Sequence, residues 1–205
     1  KSNLRVNADL KACLDVGTPI FITSLGSPKD VIIEAHKIGA KVFCDVTTLD
    51  YALKVQDLGA DGVIAVSAGA GGHAGPISPL VLVPYLQKHL KIPVIAAGGV
   101  STGQTMAAAL TLGASAVQIG TRFIASTESK ASQSYKDAIV GASPEDIVMT
   151  TRISGTPAAV IKTPYIDKVG LELNAVEKML LKSPRTKKWY KLFVNLRGAA
   201  ALQNA

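Results

Sequence analysis

The residues best placed to do chemistry lie in one short run, Gly69-Ala70-Gly71-Gly72-His73-Ala74-Gly75. Glycines let backbone N–H groups approach a ligand closely, and a histidine can hydrogen-bond or move a proton near neutral pH. The run sits within Ala68–Ser78, the longest irregular connection between a strand-like and a helix-like segment. In a parallel α/β barrel the loop after a strand lies on the catalytic face, which makes His73 the candidate catalytic residue. The competing reading is a flexible loop with an incidental exposed histidine. The coincidence of glycines and histidine at a strand's C-terminal end favours function. His36 and His89 fall inside helical patterns instead and read as ordinary solvated or partly packed side chains.

Two further turns carry a second chemistry. Ala96-Ala97-Gly98-Gly99-Val100 ends one strand-like segment, and Gln118-Ile119-Gly120-Thr121-Arg122-Phe123 ends the next. Glycine-rich ends on successive late strands of a barrel make a phosphate cradle from backbone amides and a helix N-terminus. Alone, Gly98-Gly99 reads equally well as a tight turn. Paired with Gly120-Thr121 it points to a phosphate-bearing ligand: a nucleotide, a sugar phosphate or flavin mononucleotide.

The elements that must position these residues repeat as strand, polar turn, amphipathic helix, Gly-Ala and the next strand. Strands are expected at Ile20–Ser24, Val42–Val46, Val63–Ser67, Val94–Ala97 and Ala116–Ile119. All are short, β-branched and apolar on both faces, the pattern of parallel strands covered on both sides. Gly39-Ala40, Gly59-Ala60 and Gly113-Ala114 precede three of them, with glycine suited to the left-handed residue past a helix end. Helix starts are expected at Ser27-Pro28-Lys29-Asp30, at Ser78-Pro79 and, with capping-box spacing, at Ser101-Thr102-Gly103-Gln104. Val31, Ala35 and Ile38 fall on one helical face. The cadence means βαβ units, and Gly69–Gly75 does not keep the Gly-x-Gly-x-x-Gly spacing of a Rossmann turn, so an α/β (β/α)8 TIM barrel is the expected fold. Such a barrel needs eight strands. Five expected strands imply a chain lacking its first three βα units.

The sequence then resembles a known family. Ala70-Gly71-Gly72-His73-Ala74-Gly75, Ile92–Gly99, Gly113-Ala114 and Gly120-Thr121-Arg122-Phe123 resemble the nitronate monooxygenases, formerly 2-nitropropane dioxygenases. Lys1-Ser2-Asn3, Ile22-Thr23-Ser24-Leu25-Gly26 and Asp45-Val46-Thr47-Thr48 resemble one bacterial branch. The likeness covers residues 1–165, taken as the C-terminal portion of an FMN-binding barrel, and is looser over the helical tail 166–205. It implies a TIM barrel that binds FMN non-covalently. Gly98, Gly99, Gly120 and Thr121 would hold the flavin phosphate, and Gly71 and Gly72 would lie against the cofactor. Asp45 would stand beside the flavin, where other branches carry lysine. His73 would accept the α-proton of a nitroalkane or hold a nitronate, which O2 then converts to a carbonyl compound and nitrite. Two rivals remain: an NAD(P)H-dependent flavin reductase (quinone or enoyl-acyl-carrier-protein) on the same scaffold, and a non-catalytic barrel that binds without reacting.

Charge narrows the partners. The net charge is +7, yet no acidic residue follows Glu177, and Lys178, Lys182, Arg185, Lys187, Lys188, Lys191 and Arg197 account for all of it. A neutral body with a basic tail argues against a nucleic-acid partner. No apolar run approaches the ~20 residues of a membrane span, and the start has no signal-like apolar region. Cys13 and Cys44 lack metal-ligand spacing and read as reduced thiols. A cytoplasmic enzyme is expected, with small-molecule partners and room for a homo-oligomer. Lys187–Val194 is expected to form a basic amphipathic helix packing on the barrel or on a second subunit rather than on a membrane.

Overall fold

The computed structural model describes residues 5–153, 156–182 and Thr186. The expected tail helix Lys187–Val194 lies outside the described residues. Helix α1 (Val6–Asp15) leads into β1 (Ile20–Thr23), α2 (Lys29–Lys37) into β2 (Lys41–Val46), and α3 (Leu49–Asp57) into β3 (Gly62–Val66). A two-residue strand, β4 (Gly72–His73), interrupts the connection to α4 (Pro79–His89). Then come β5 (Val94–Ala97), α5 (Gly103–Thr111), β6 (Ala116–Gln118), α6 (Thr121–Ile124) and α7 (Gln133–Gly141). The described part closes with β7 (Ile147–Thr150), β8 (Ala158–Ile161), α8 (Pro164–Val169) and α9 (Ala175–Lys182). Among these helices none is long and apolar enough to cross a membrane. Two compact units result. The first comprises the residues up to Gly69 together with Gly75–Ile119, and the second comprises Ala70–Ala74 and the residues from Gly120 onward.

The first unit is built on a parallel sheet of order β1-β2-β3-β5-β6. Its strands lie side by side in chain order. A doubly wound sheet would reverse that order at a switch point, so the consecutive order identifies the barrel type of α/β fold expected from the cadence. Cys44, Val63 and Val94 stand abreast, as do Val46, Ala65 and Ala96. These two rows pack with Ile32 and Ala35 of α2, Ala52 and Val55 of α3, and Leu82, Val83 and Leu86 of α4, all nearly fully buried. Each large apolar side chain buried in this way contributes roughly 1.5–3 kcal/mol. On the opposite face Ile22, Phe43 and Gly62 share one row, and Asp45, Ile64 and Ile95 the next. Gly62 leaves room for the Phe43 ring, since a Cβ there would lie 2.7 Å from it.

The three Gly-Ala stops are as expected: Gly39, Gly59 and Gly113 have φ of +74°, +94° and +98°. Helix starts need small corrections. Ser78 caps α4 with Pro79 in its first turn, as expected. The capping box of α5 joins Thr102 and Thr105, one residue later than the Ser101–Gln104 spacing suggested. Pro28, not Ser27, occupies the cap of α2. On α2 the buried pair is Ile32 and Ala35, while Ile38 is 44% exposed, because the helix ends at Lys37 and Ile38 turns away with the stop.

The second unit contains strands the sequence did not announce. β4, β8 and β7 form an antiparallel sheet in that order. Thr150 and Ala158 face each other across β7 and β8, and both are buried. The Thr150 hydroxyl donates to the Leu171 carbonyl at 2.9 Å, and the Arg152 Nε donates to the Val169 carbonyl at 2.7 Å. Arg152 also pairs with Glu177, whose carboxylate accepts from the Asn174 N–H at 2.8 Å. This knot ties the end of β7 to the starts and ends of α8 and α9.

Candidate functional site

In the first unit the parallel register places the C-terminal ends of all five strands along one edge. The candidates Gly98 and Gly99 follow β5 there, with φ of +116° and +72°, a conformation that strongly favours glycine. The Gly99 N–H donates to the Gly69 carbonyl at 2.9 Å, linking the loops that follow β3 and β5. Gly69 is itself left-handed (φ +96°), and a Cβ on it would meet the Gly99 backbone at 3.5 Å. The sequence placed Gly69 in the loop without a role; its position directly after a strand was the available signal. Both ends of the excursion are fixed within this unit. Ala68 N–H donates to the Ile77 carbonyl at 2.8 Å, and Gly75 lies so close to the Val66 carbonyl that a Cβ would collide with it.

Asp45 lies on β2, on the sheet face turned away from the helical core, one residue from the strand's end. It is half-buried, and its Oδ1 is shielded without a hydrogen-bond partner. Burial pushes its carboxyl above the usual carboxylate range, and a hydrogen bond with the Ser24 side chain only partly opposes this. Ser24 escaped the sequence reading as part of this site; its only signal was its place just past β1. Behind Asp45, the Cys44 thiol accepts from Thr23 Oγ1 at 3.2 Å, and burial pushes that thiol up. Nearby, the Tyr51 hydroxyl donates to the Gly26 carbonyl at 2.5 Å.

In the second unit, the stretch expected to be an irregular loop holds His73 on a strand. Gly72 pairs with Ala159 and His73 with Ala158, so backbone hydrogen bonding to β8 fixes the histidine's main chain while its side chain stays exposed. Gly72 is left-handed at φ +74°. Gly71 and Thr121 come together: a Cβ on Gly71 would run into the Thr121 Oγ1. Gly120 caps the single-turn helix α6, its carbonyl accepting from the Phe123 N–H at 2.9 Å and the Ile124 N–H at 3.3 Å. The eight candidates therefore divide, with Asp45, Gly98 and Gly99 in the first unit and Gly71, Gly72, His73, Gly120 and Thr121 in the second.

Whether these residues suit a flavin phosphate and ring can be tested on the backbone itself. Nothing lies within 4 Å of a Cβ built on Gly72, Gly99 or Gly120, so each presents bare, accessible main chain. The Asp45 oxygen lacks a protein partner. Within its own unit, each feature suits contact with a polar ligand. The other two histidines are accounted for. His36 Nε2 pairs with Asp61 at 2.8 Å, and His89 Nδ1 pairs with the Tyr85 carbonyl at 2.7 Å.

Comparison with known proteins agrees with this geometry. The nitronate monooxygenase family model matches residues 3–205. A probable nitronate monooxygenase of Staphylococcus saprophyticus is 38% identical over 168 residues, covering 76% of this chain and 47% of the relative. The structure of FabK from Thermotoga maritima superposes with a TM-score of 0.79 at 37% identity, covering 96% of this chain and 61% of that one. Nitroalkane oxidase from Streptomyces ansochromogenes gives a TM-score of 0.71 at 31% identity, with coverage of 80% and 51%. The chain spans about half the length of the curated relatives it matches. With a family model matched over nearly every residue and the barrel-type sheet carrying the expected glycines, the chain belongs to the nitronate monooxygenase family of flavin-dependent oxidoreductases.

Proposed function

We propose that this chain forms part of an FMN-dependent nitronate monooxygenase that oxidises alkyl nitronates or nitroalkanes with O2 to carbonyl compounds and nitrite in the cytoplasm. The observation that carries the reading is a histidine held by strand pairing directly after Gly72, a glycine whose main chain has open space around it. Residues 1–165 are taken as the flavin-binding portion. Gly98, Gly99, Gly120 and Thr121 would serve the phosphate through main-chain amides and the threonine hydroxyl, and Gly71 and Gly72 would let the chain lie close to the cofactor. Bound FMN would supply the electron-accepting chemistry. The His73 imidazole would take the α-proton of a neutral nitroalkane or hold the anionic oxygens of a nitronate. Its backbone pairing limits the orientational freedom lost on reaction.

A second reading, an NAD(P)H-dependent flavin reductase, draws on the motifs it shares with such enzymes and on a likeness to FabK at least as close as that to nitroalkane oxidase. Anaerobic mixing of the FMN-loaded protein with an alkyl nitronate, and separately with NADH, distinguishes the two. Flavin reduction by the nitronate, with nitrite on readmission of O2, supports the monooxygenase. Rapid bleaching by NADH without nitrite formation selects the reductase. His73→Ala is expected to lower turnover of neutral nitroalkanes by about 100-fold or more while leaving FMN affinity within a few-fold. Equal loss of both would make His73 structural.

A further inference from the structure

Asp45 is a carboxyl group with apolar neighbours on its sheet face. Ile64 stands directly abreast of it on β3 and Ile95 beyond that on β5; Phe43 shares its face two residues earlier. Its Oδ1 is shielded and unpartnered, while Ser24 engages the carboxyl from the end of β1. Among the described residues of the first unit, the charged groups around it offer no counter-ion. Lys41, on the same face of β2, is drawn to Asp61 at the other end of the strand, with Nζ to Oδ1 2.8 Å. The neighbouring Cys44 and Tyr51 can only become anionic, and burial holds both in their neutral forms. A carboxylate here would leave a shielded, unpartnered oxygen beside apolar neighbours, which favours the neutral acid. The acid has one unmet need, an acceptor for its proton.

Resting on the flavin reading above, we propose that Asp45 is a specificity-determining residue that works as a neutral acid, its half-buried carboxyl donating a proton in a hydrogen bond to a negatively polarised ligand oxygen. Two oxygens share that chemistry: a carbonyl of the flavin ring and an oxygen of the nitronate head group. The role has a consequence for substrate choice. An anionic head group is accepted while Asp45 is protonated and repelled once it ionises, because Lys41, the cation on this face of β2, is paired with Asp61.

Infrared difference spectroscopy on the whole chain tests this through the protonated-carboxyl stretch, comparing wild type with Asp45→Asn. The probes are FMN alone, then FMN with nitrate, an inert planar anion shaped like the nitronate head group. A protonated band absent from Asp45→Asn is expected. A shift of that band on adding FMN identifies the flavin oxygen as acceptor, and a shift only on adding nitrate identifies the substrate oxygen. Nitrate affinity, followed by perturbation of the flavin spectrum, should fall up to tenfold per pH unit above the Asp45 midpoint. Asp45→Asn should remove that dependence. Ser24→Ala, which removes the partner of the charged form, should move the midpoint upward without abolishing the band. FMN binding with no protonated band, or with a band that neither probe shifts, overturns the inference and leaves the flavin reading standing. Failure of FMN to bind the folded chain overturns both.

Discussion

Gly75 and Gly99, in the connections to α4 and α5, separate two reasons for a glycine. A Cβ at Gly75 would strike the Val66 carbonyl and lie 3.1 Å from the Thr47 methyl. Gly99 has open space around it but a φ of +72°. Gly75→Ala is therefore expected to cost about 3 kcal/mol of stability through overpacking against backbone, and Gly99→Ala only about 1–2 kcal/mol of backbone strain. If Gly99 serves the flavin phosphate, the second variant loses FMN affinity out of proportion to its stability. Urea denaturation and FMN titration of both variants check the ordering; equal stability losses would contradict it. Asp45 invites a pH test of the same kind. Its carboxyl is raised, so the folded state binds that proton more tightly than the unfolded chain does. The resulting stability is full below the ordinary carboxylate range, near pH 4, and is lost as pH rises through the raised value. Asp45→Asn should accordingly gain on wild type as pH is raised from about 4 to about 8 in FMN-free denaturation curves. A constant difference across that range would show that the carboxyl is not raised.

Elements of the first unit were legible because buried parallel strands leave an unmistakable trace: short β-branched runs, three of them reached through a Gly-Ala stop that ends the preceding helix. Val94–Ala97 falls where expected, and the other four strands differ by a residue at one or both ends. The second unit's strands left no such trace. β4 is too short to show a period, and β7 and β8 are four-residue antiparallel strands with half-exposed faces in which Ile147 and Met149 remain 46% and 49% exposed. For the same reason His73 was read on a loop: the partner that makes it a strand residue lies far along the chain at Ala158. Equally hidden was the knot at the other end of the parallel sheet. Asp61 opens β3 and accepts from Lys41 Nζ at 2.8 Å, from the Val42 N–H at 2.9 Å and pairs with His36 at 2.8 Å, joining α2, β2 and β3. Burial opposes its charge, but these hydrogen bonds prevail and hold its carboxyl at about 2. A depressed carboxyl stabilises the fold above its unfolded value, near pH 4, and loses that contribution as pH falls toward 2. Asp61→Asn should cost about 1–2 kcal/mol at pH 6, a figure held down by the exposure of Lys41 and His36, and converge on wild type near pH 2. Chemical denaturation at several pH values tests both the sign and the window.

At the scale of the whole molecule, the two units have unequal means of staying folded. Nearly all the fully buried apolar side chains belong to the first, where three helices and two strand rows enclose them. The second relies on Ala158, Ile166 and Leu173, a buried Thr150 and the Arg152 knot. Opening free energies follow buried apolar contact and protected hydrogen bonding, so the units should not exchange their amide protons alike. Native-state hydrogen exchange of the FMN-free chain is expected to show the slowest amides in β2, β3 and β5, with β7 and β8 opening at a clearly lower free energy. Arg152→Met keeps the length of the side chain but removes its bonds to Val169 and Glu177. It should lower protection across residues 147–182 and leave β2, β3 and β5 unchanged. Uniform loss of protection would mean that the chain opens as one cooperative body. Selective loss would place His73, paired to β8, in the less stable unit, and a ligand that engages His73 should then protect β8 more than any strand of the parallel sheet.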